Sequence, residues 1–316
     1  MKAENPPQQA AGRRRTAMAD IVFASVYKIY SQLSGRRFGT DLDESHDKGY
    51  LTRKLSSMMV WSFLESELLT PVLKGLIAKS AAPLKTVESD FAVDSSGFST
   101  SKFVRWFDEK YGVERSGRAW VKCHIACGVK THVVTAVEIL DKDAADCPQF
   151  APLVKATAGN FKIGEVSADK AYLSAANIET VFQLGGTPFI AFKENSTGGM
   201  GGLFEKMFLY YSLNREQYLA HYHKRSNVES TFSMAKAKFG DHVRSKTDTA
   251  MVNEVLCKLL AHNICCLIMS QCELGIELVF WGEQKQEAAE VVDVVPVELP
   301  VPQPISAARY SSCVGA

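Results

Sequence analysis

Apolar residues recur at helical spacing from the start of the readable pattern: Met18, Ile21, Val22, Val26, Ile29 and Leu33 fall three or four positions apart over 18–34. That period predicts an amphipathic helix. The same spacing runs through 52–80, where Pro71 after Thr70 opens a new helix, since a proline costs nothing in a first helical turn. Residues 18–86 are therefore expected to form an N-terminal helical region. The pattern changes at Val87. Phe91-Ala92-Val93 reads as a short strand ending in Asp94-Ser95-Ser96-Gly97, and 120–126 with 132–140 read as a hairpin turning through 128–131. A helix over 146–158 follows, then a strand at 163–167, a helix over 174–184 closed by Gly185-Gly186, and a strand at 188–192. The Gly-rich stretch 198–202 reads as a loop without the Lys-Ser/Thr of a nucleotide cradle, and most of 203–272 as helix. The order β-β-β-α-β-α-β-α predicts an α/β fold, a mixed sheet flanked by helices.

The two ends break this pattern. Residues 1–17 are polar and predict a flexible basic arm; 281–316, rich in Glu, Val, Pro and Gln without period, predict a disordered acidic tail. With 46% hydrophobic residues in 316, the rest of the chain has enough apolar side chains for a sizeable core. The start of the chain has no apolar stretch of signal-peptide type. The longest apolar run, 255–269, is broken by Lys258, His262 and Asn263, short of the roughly 20 residues a membrane span needs. A soluble, cytoplasmic protein with no membrane partner is expected. Eight irregularly spaced cysteines inside apolar runs predict buried thiols rather than a disulfide framework.

The net charge of +1 conceals an asymmetry. Residues 1–40 carry seven Lys/Arg against two acids, and 273–316 carry seven acids against two bases. The basic body under an acidic tail is compatible with a polyanionic partner.

Three acids stand out by position: Asp94 ends the first strand, Asp169 in Val166-Ser167-Ala168-Asp169-Lys170 ends the fourth, and Glu229 lies in a helix. If the two strands are neighbours, about 4.8 Å apart, their terminal carboxylates reach the same ions. Two divalent metals about 3.5–4 Å apart serve in-line attack on a phosphodiester, and carboxylate oxygens favour Mg²⁺ or Mn²⁺. Taken singly, each Asp reads first as a turn or cap residue. Tyr222, Arg225, Glu229 and Lys236 are spaced 3, 4 and 7 apart, within one stripe of a helix, beside an apolar stripe of Val228, Phe232, Ala235 and Phe239. The stripe admits two readings, an acid flanked by phosphate-binding cations or a solvated face with i, i+4 ion pairs. Cys123-His124-x2-Cys127 and His262-x2-Cys265-Cys266 lack zinc-ligand spacing and read as core. Lys170, Lys193, Asn195, His221 and His223 are weaker candidates for contact with phosphate or an acid, and Asp90 shares a strand face with Asp94. Arg13-Arg14-Arg15 suits either a phosphate backbone or solvent.

Tyr222-x2-Arg225-x3-Glu229-x6-Lys236 resembles the Y-R-E-K signature of the DDE insertion-sequence transposases, and the stretches 91–98, 165–172 and 222–229 look like that family's core motifs in order. The resemblance runs from about residue 19 to 280. It implies a ribonuclease H-like catalytic domain over 87–280, with Asp94, Asp169 and Glu229 as a triad holding Mg²⁺ (Mn²⁺ as substitute). The implied reaction is cleavage at transposon ends and transfer of the 3′ hydroxyl to target DNA. Tyr222, Arg225 and Lys236 are implied to touch double-stranded DNA, with the protein acting as a homodimer on it. Only about 85 residues precede the first catalytic strand, so the resemblance also implies a shortened end-recognition region. Two alternatives stay open, an inactive DNA-binding remnant of a transposase and a general nuclease on the same fold.

Overall fold

The computed structural model describes residues 15–100, 110, 112, 120–140, 144–199 and 201–277. The basic arm up to residue 14 and the acidic tail expected over 281–316 lie outside these residues. Four helices come first: α1 (Met18–Ser31), α2 (Gly35–Asp47), α3 (Ser57–Leu64) and α4 (Leu69–Ala81). The sequence pattern did not predict α2, because its apolar content is small; it buries only Phe38, Leu42 and Ser45 along one stripe, and Phe38 and Leu42 pack with Ala24, Leu51 and Val60. Pro71 sits in the first turn of α4 rather than opening it.

The hairpin then forms as expected, β2 (Trp120–Gly128) with β3 (Val134–Leu140), after β1 (Asp90–Thr100). α5 (Cys147–Ala158), β4 (Glu165–Ala168), α6 (Ala175–Gln183) and β5 (Thr187–Ile190) follow within a few residues of their predicted bounds. Ser174 caps α6 by accepting a hydrogen bond from the Asn177 amide, which satisfies one of the donors a helix start leaves free. The predicted helical stretch from 203 divides into α7 (Gly202–Leu213), α8 (Arg215–Tyr222), α9 (Ser226–Phe239) and α10 (Asp248–Leu274), with a two-residue strand β6 (His242–Val243) before the last.

The strands lie in the order β3-β2-β1-β4-β5, with β6 also pairing β1. β2 runs antiparallel to β1 and β3, whereas β4 and β6 run parallel to β1 and β5 parallel to β4. A hairpin arm on one side of β1 and parallel strands on the other, helices on both faces, is the mixed sheet that the element order predicts and the ribonuclease H-like architecture that the resemblance implies.

Side chains alternate across β1 as a strand requires. Ala92 and Phe98 pack under α1, α4, α9 and α10, together with Cys123, Ile125 and Cys127 of β2. Phe91 and Val93 point the other way, onto Phe150, Leu153 and Val154 of α5. The first face is therefore the one that α9 crosses, and it also carries Asp94 and Ser96.

One expectation needs correction. By length and composition α10 is long and apolar enough to cross a membrane, although Lys258, His262 and Asn263 had marked the run as too short. In the fold 67% of that apolar stretch is buried, and its polar side chains have protein partners. Lys258 donates to the Gly240 and His242 carbonyls, His262 meets the His132 carbonyl at 2.9 Å, and Asn263 bonds Val134, Ile77 and Ser80. Those bonds identify α10 as the central core helix.

Candidate active site

The site is set by register. β1 and β4 pair in parallel, the last matched residues being Val93 and Ala168, so the next residue on each chain is Asp94 and Asp169. Adjacent strands lie about 4.8 Å apart and side chains alternate in step, so both carboxylates leave the face that α9 crosses. Asp169 keeps an extended backbone (φ −70°, ψ 161°) before a 3₁₀ turn over Lys170–Tyr172. Glu229 approaches from above. It does not lie deep in a long helix: α8 ends at Tyr222, a 3₁₀ turn spans His223–Arg225, and Glu229 falls in the first turn of α9.

Arg225 joins the two sides. Its Nη1 lies 3.0 Å from Asp94 Oδ2 and its Nη2 2.7 Å from Glu229 Oε1. Both readings of the stripe are thus present in one residue, an i, i+4 pair with Glu229 and a second contact to the strand acid. Burial raises the Asp94 pKa; the Ser95 amide and Arg225 oppose this, and the nearby charges of Asp169 and Glu229 add to it. Glu229 keeps a side-chain exposure of 58% against 20% for Asp94, so the acid row opens to solvent on the α9 side. A cleft of about 670 Å³ lies there, lined by Asp94, Ser96, Glu229, Lys236 and Asp241 among others.

Lys236 reaches back to the same strand, donating to Ser96 Oγ at 2.7 Å with its ammonium 5.2 Å from the Phe98 ring. Burial lowers its pKa, while Asp241 acts in the other direction. Tyr222 is half-buried, and the Arg225 guanidinium lies 5.9 Å from its ring centre. Of the three residues expected at DNA, Lys236 lines the cleft, Arg225 pairs with two of its lining acids, and Tyr222 packs beside Arg225. Asp241 joined the lining without any sequence signal, because β6 brings it there.

A second row of polar contacts lies lower on the same strands. Asp90 pairs in register with Glu165, and the Lys224 ammonium donates to both, at 2.7 and 2.9 Å. His221 meets Glu165 at 2.9 Å and stacks on Phe189 at 4.5 Å, whereas His223 is exposed. Lys170, Lys193 and Asn195 are exposed as well.

Asp94, Asp169 and Glu229 offer only oxygen donors, which suits a hard divalent cation, and the like-charge crowding on Asp94 is what a cation would relieve. Among the described residues no group of three or more His, Cys, Asp or Glu is already spaced around an ion; Arg225 spans Asp94 and Glu229 instead. Of the cysteines, Cys123, Cys127 and Cys266 are buried as expected, and burial pushes the Cys127 thiol up to about 12, whereas Cys265 and Cys147 are only partly buried and Cys272 is exposed. His124 is fully buried against the Tyr172 hydroxyl at 3.1 Å, and burial lowers its pKa.

A ribonuclease H-like sheet with one acid midway along its first strand and another just after its fourth defines the class of fold. Residues 85–264 match the family model described as the transposase DDE domain, more than half of the chain, and the chain belongs to that family. Among solved structures it is similar to the piggyBac transposase in a cryo-EM synaptic complex with hairpin DNA. That likeness has 8% sequence identity and a TM-score of 0.41, and covers 87% of this chain and 71% of that one. No curated protein matches.

Proposed function

We propose that the protein is a DNA transposase that cuts the ends of a mobile element and joins them to target DNA by two-metal phosphodiester chemistry. The observation that carries the reading is the register of β1 and β4, which sets Asp94 beside Asp169 on the face from which Glu229 approaches. These three residues would hold Mg²⁺, or Mn²⁺ in its place. When bound, the metal pair supplies activation of the attacking oxygen and stabilisation of the leaving one.

The chain's own residues do the rest. Arg225, a planar fork, suits bidentate contact with a phosphate, and in binding one it exchanges Asp94 and Glu229 for DNA. Lys236 brings a single charge along the cleft edge, and Tyr222 supplies a flat apolar surface under the guanidinium. In this reading 87–280 is the catalytic domain, and 18–86 packs on it through α1 and α4, which share its core.

Cleavage of the gene's own flanking DNA in Mg²⁺ or Mn²⁺ tests the proposal, with Glu229→Gln alongside. Cuts confined to the two ends and absent in the variant are expected. Cuts without regard to ends would replace the reading with a general nuclease, and intact DNA binding without any cutting would replace it with a DNA-binding remnant.

A further inference from the structure

Four residues before Asp94 and Asp169, the same two strands carry another register-matched pair of acids, Asp90 and Glu165. An even spacing keeps them on the same face, about 13 Å down the strands at roughly 3.3 Å per residue. Their side chains are only 20% and 22% exposed. Two carboxylates on neighbouring strands repel unless a cation lies between them, and here Lys224 provides it. Burial works against the Lys224 ammonium, but its bonds to Asp90 and Glu165 outweigh this and raise its pKa. His221 meets both oxygens of Glu165 at 2.9 and 3.0 Å, and its carbonyl accepts from Ser167 Oγ at 3.2 Å. The helical segment is thus tied across two strands just where it tightens into the 3₁₀ turn. Arg225 is the next residue, and it reaches up the strands to Asp94 while Lys224 reaches down.

We infer that Lys224 is a positioning residue for the candidate active site: clasping Asp90 and Glu165, it fixes where the helical segment turns and so where Arg225 and Glu229 stand over Asp94 and Asp169. The inference rests on the transposase reading for what is positioned. Lys224 touches neither DNA nor metal in this role. Its cost when lost is the cost of misplacement, and a displacement of about 1 Å at such a site lowers rates roughly 10²-fold.

The test uses the full chain with Lys224→Met, Lys224→Arg, and Lys224→Met combined with Asp90→Asn and Glu165→Gln. The triple variant removes the repulsion together with the clasp. Melting temperature, Mn²⁺ affinity by electron paramagnetic resonance, single-turnover cleavage, and hydrogen exchange of the amides over 223–229 are read for each. Lys224→Met is expected to cut roughly 10²-fold more slowly, with faster exchange and weaker Mn²⁺ binding, and Lys224→Arg to recover most of this. The triple variant should regain the melting temperature yet keep the cleavage and exchange defects. A triple variant that exchanges and cuts like the wild type would show that Lys224 only neutralises charge, and overturn the inference. So would unchanged exchange in Lys224→Met. The exchange measurement needs no metal or DNA, so a wild type that neither binds Mn²⁺ nor cuts refutes the transposase reading while exchange still decides the part played by Lys224.

Discussion

At the scale of single residues, the candidate site is a crowd of negative charge held by two cations, and that crowding has a thermodynamic signature. The pKa of Asp94 lies above its ordinary 3.8, through burial first and through Asp169 and Glu229 after it. A carboxyl raised in the folded state binds its proton more tightly there than in the unfolded chain, so stability falls as pH rises through the window above 3.8 and stays lower at neutral pH. Asp94→Asn should therefore lose cleavage almost completely while unfolding at a higher denaturant concentration than the wild type at pH 7. The gain should shrink as pH falls towards the ordinary carboxylate range. Paired urea titrations at pH 7 and pH 4 measure it, and an Asp94→Asn protein no more stable than the wild type at pH 7 would mean that Arg225 already compensates the charge in full.

At the scale of elements, the chain is legible where one rule dominates. Alternation and turn residues predict the β2–β3 hairpin, and helical spacing predicts α1, α5 and α6, because each buries a contiguous apolar face that local sequence encodes. Asp169 was legible as a strand end, but Asp94, expected to end the first strand, lies inside β1, because pairing with β2 and β6 carries the strand on to Thr100. What places them together is strand order, which no local pattern carries. The 3₁₀ break at His223–Arg225 was not legible either, since Tyr222 to Lys236 keeps one helical stripe whether or not the chain tightens midway. Lys224 was invisible for the same reason: its partners are 134 and 59 residues away. The polar residues of α10 misled in a useful way. Asn263 is fully buried; its Oδ1 accepts from the Val134 amide at 2.8 Å, and its Nδ2 donates towards the Val134 and Ile77 carbonyls and Ser80 Oγ. It thereby ties α10 to both β3 and α4. An unpaired buried polar group costs roughly 1–3 kcal/mol, so Asn263→Ala, which orphans groups on two elements, should destabilise the fold by about 2–4 kcal/mol in urea unfolding. A loss under about 0.5 kcal/mol would mean that water replaces the amide and that α10 is held by apolar contact alone.

At the scale of the whole molecule, the governing quantity is charge. The chain is nearly neutral at +1, yet residues 281–316 hold five acids against two bases, so their removal takes the remainder to +4. The contact pattern divides the chain at the same place, with Met1–Phe280 forming one unit, and a protein ending at Phe280 should keep its fold. Fields from such charges reach about 10 Å in 0.1 M salt and about 3 Å in 1 M. Deleting 281–316 should therefore tighten binding to random-sequence duplex DNA several-fold at low salt and steepen the salt dependence, with the two proteins converging as salt approaches 1 M. Fluorescence anisotropy across a salt series measures both curves. Parallel curves offset at every salt concentration would point to a direct obstruction of the DNA surface by the tail, and coincident curves would show that the acidic stretch lies too far from that surface for its field to act. Only convergence at high salt makes the tail an electrostatic brake, one that weakens the hold on arbitrary DNA while leaving the short-range contacts proposed for Arg225 and Lys236 unchanged.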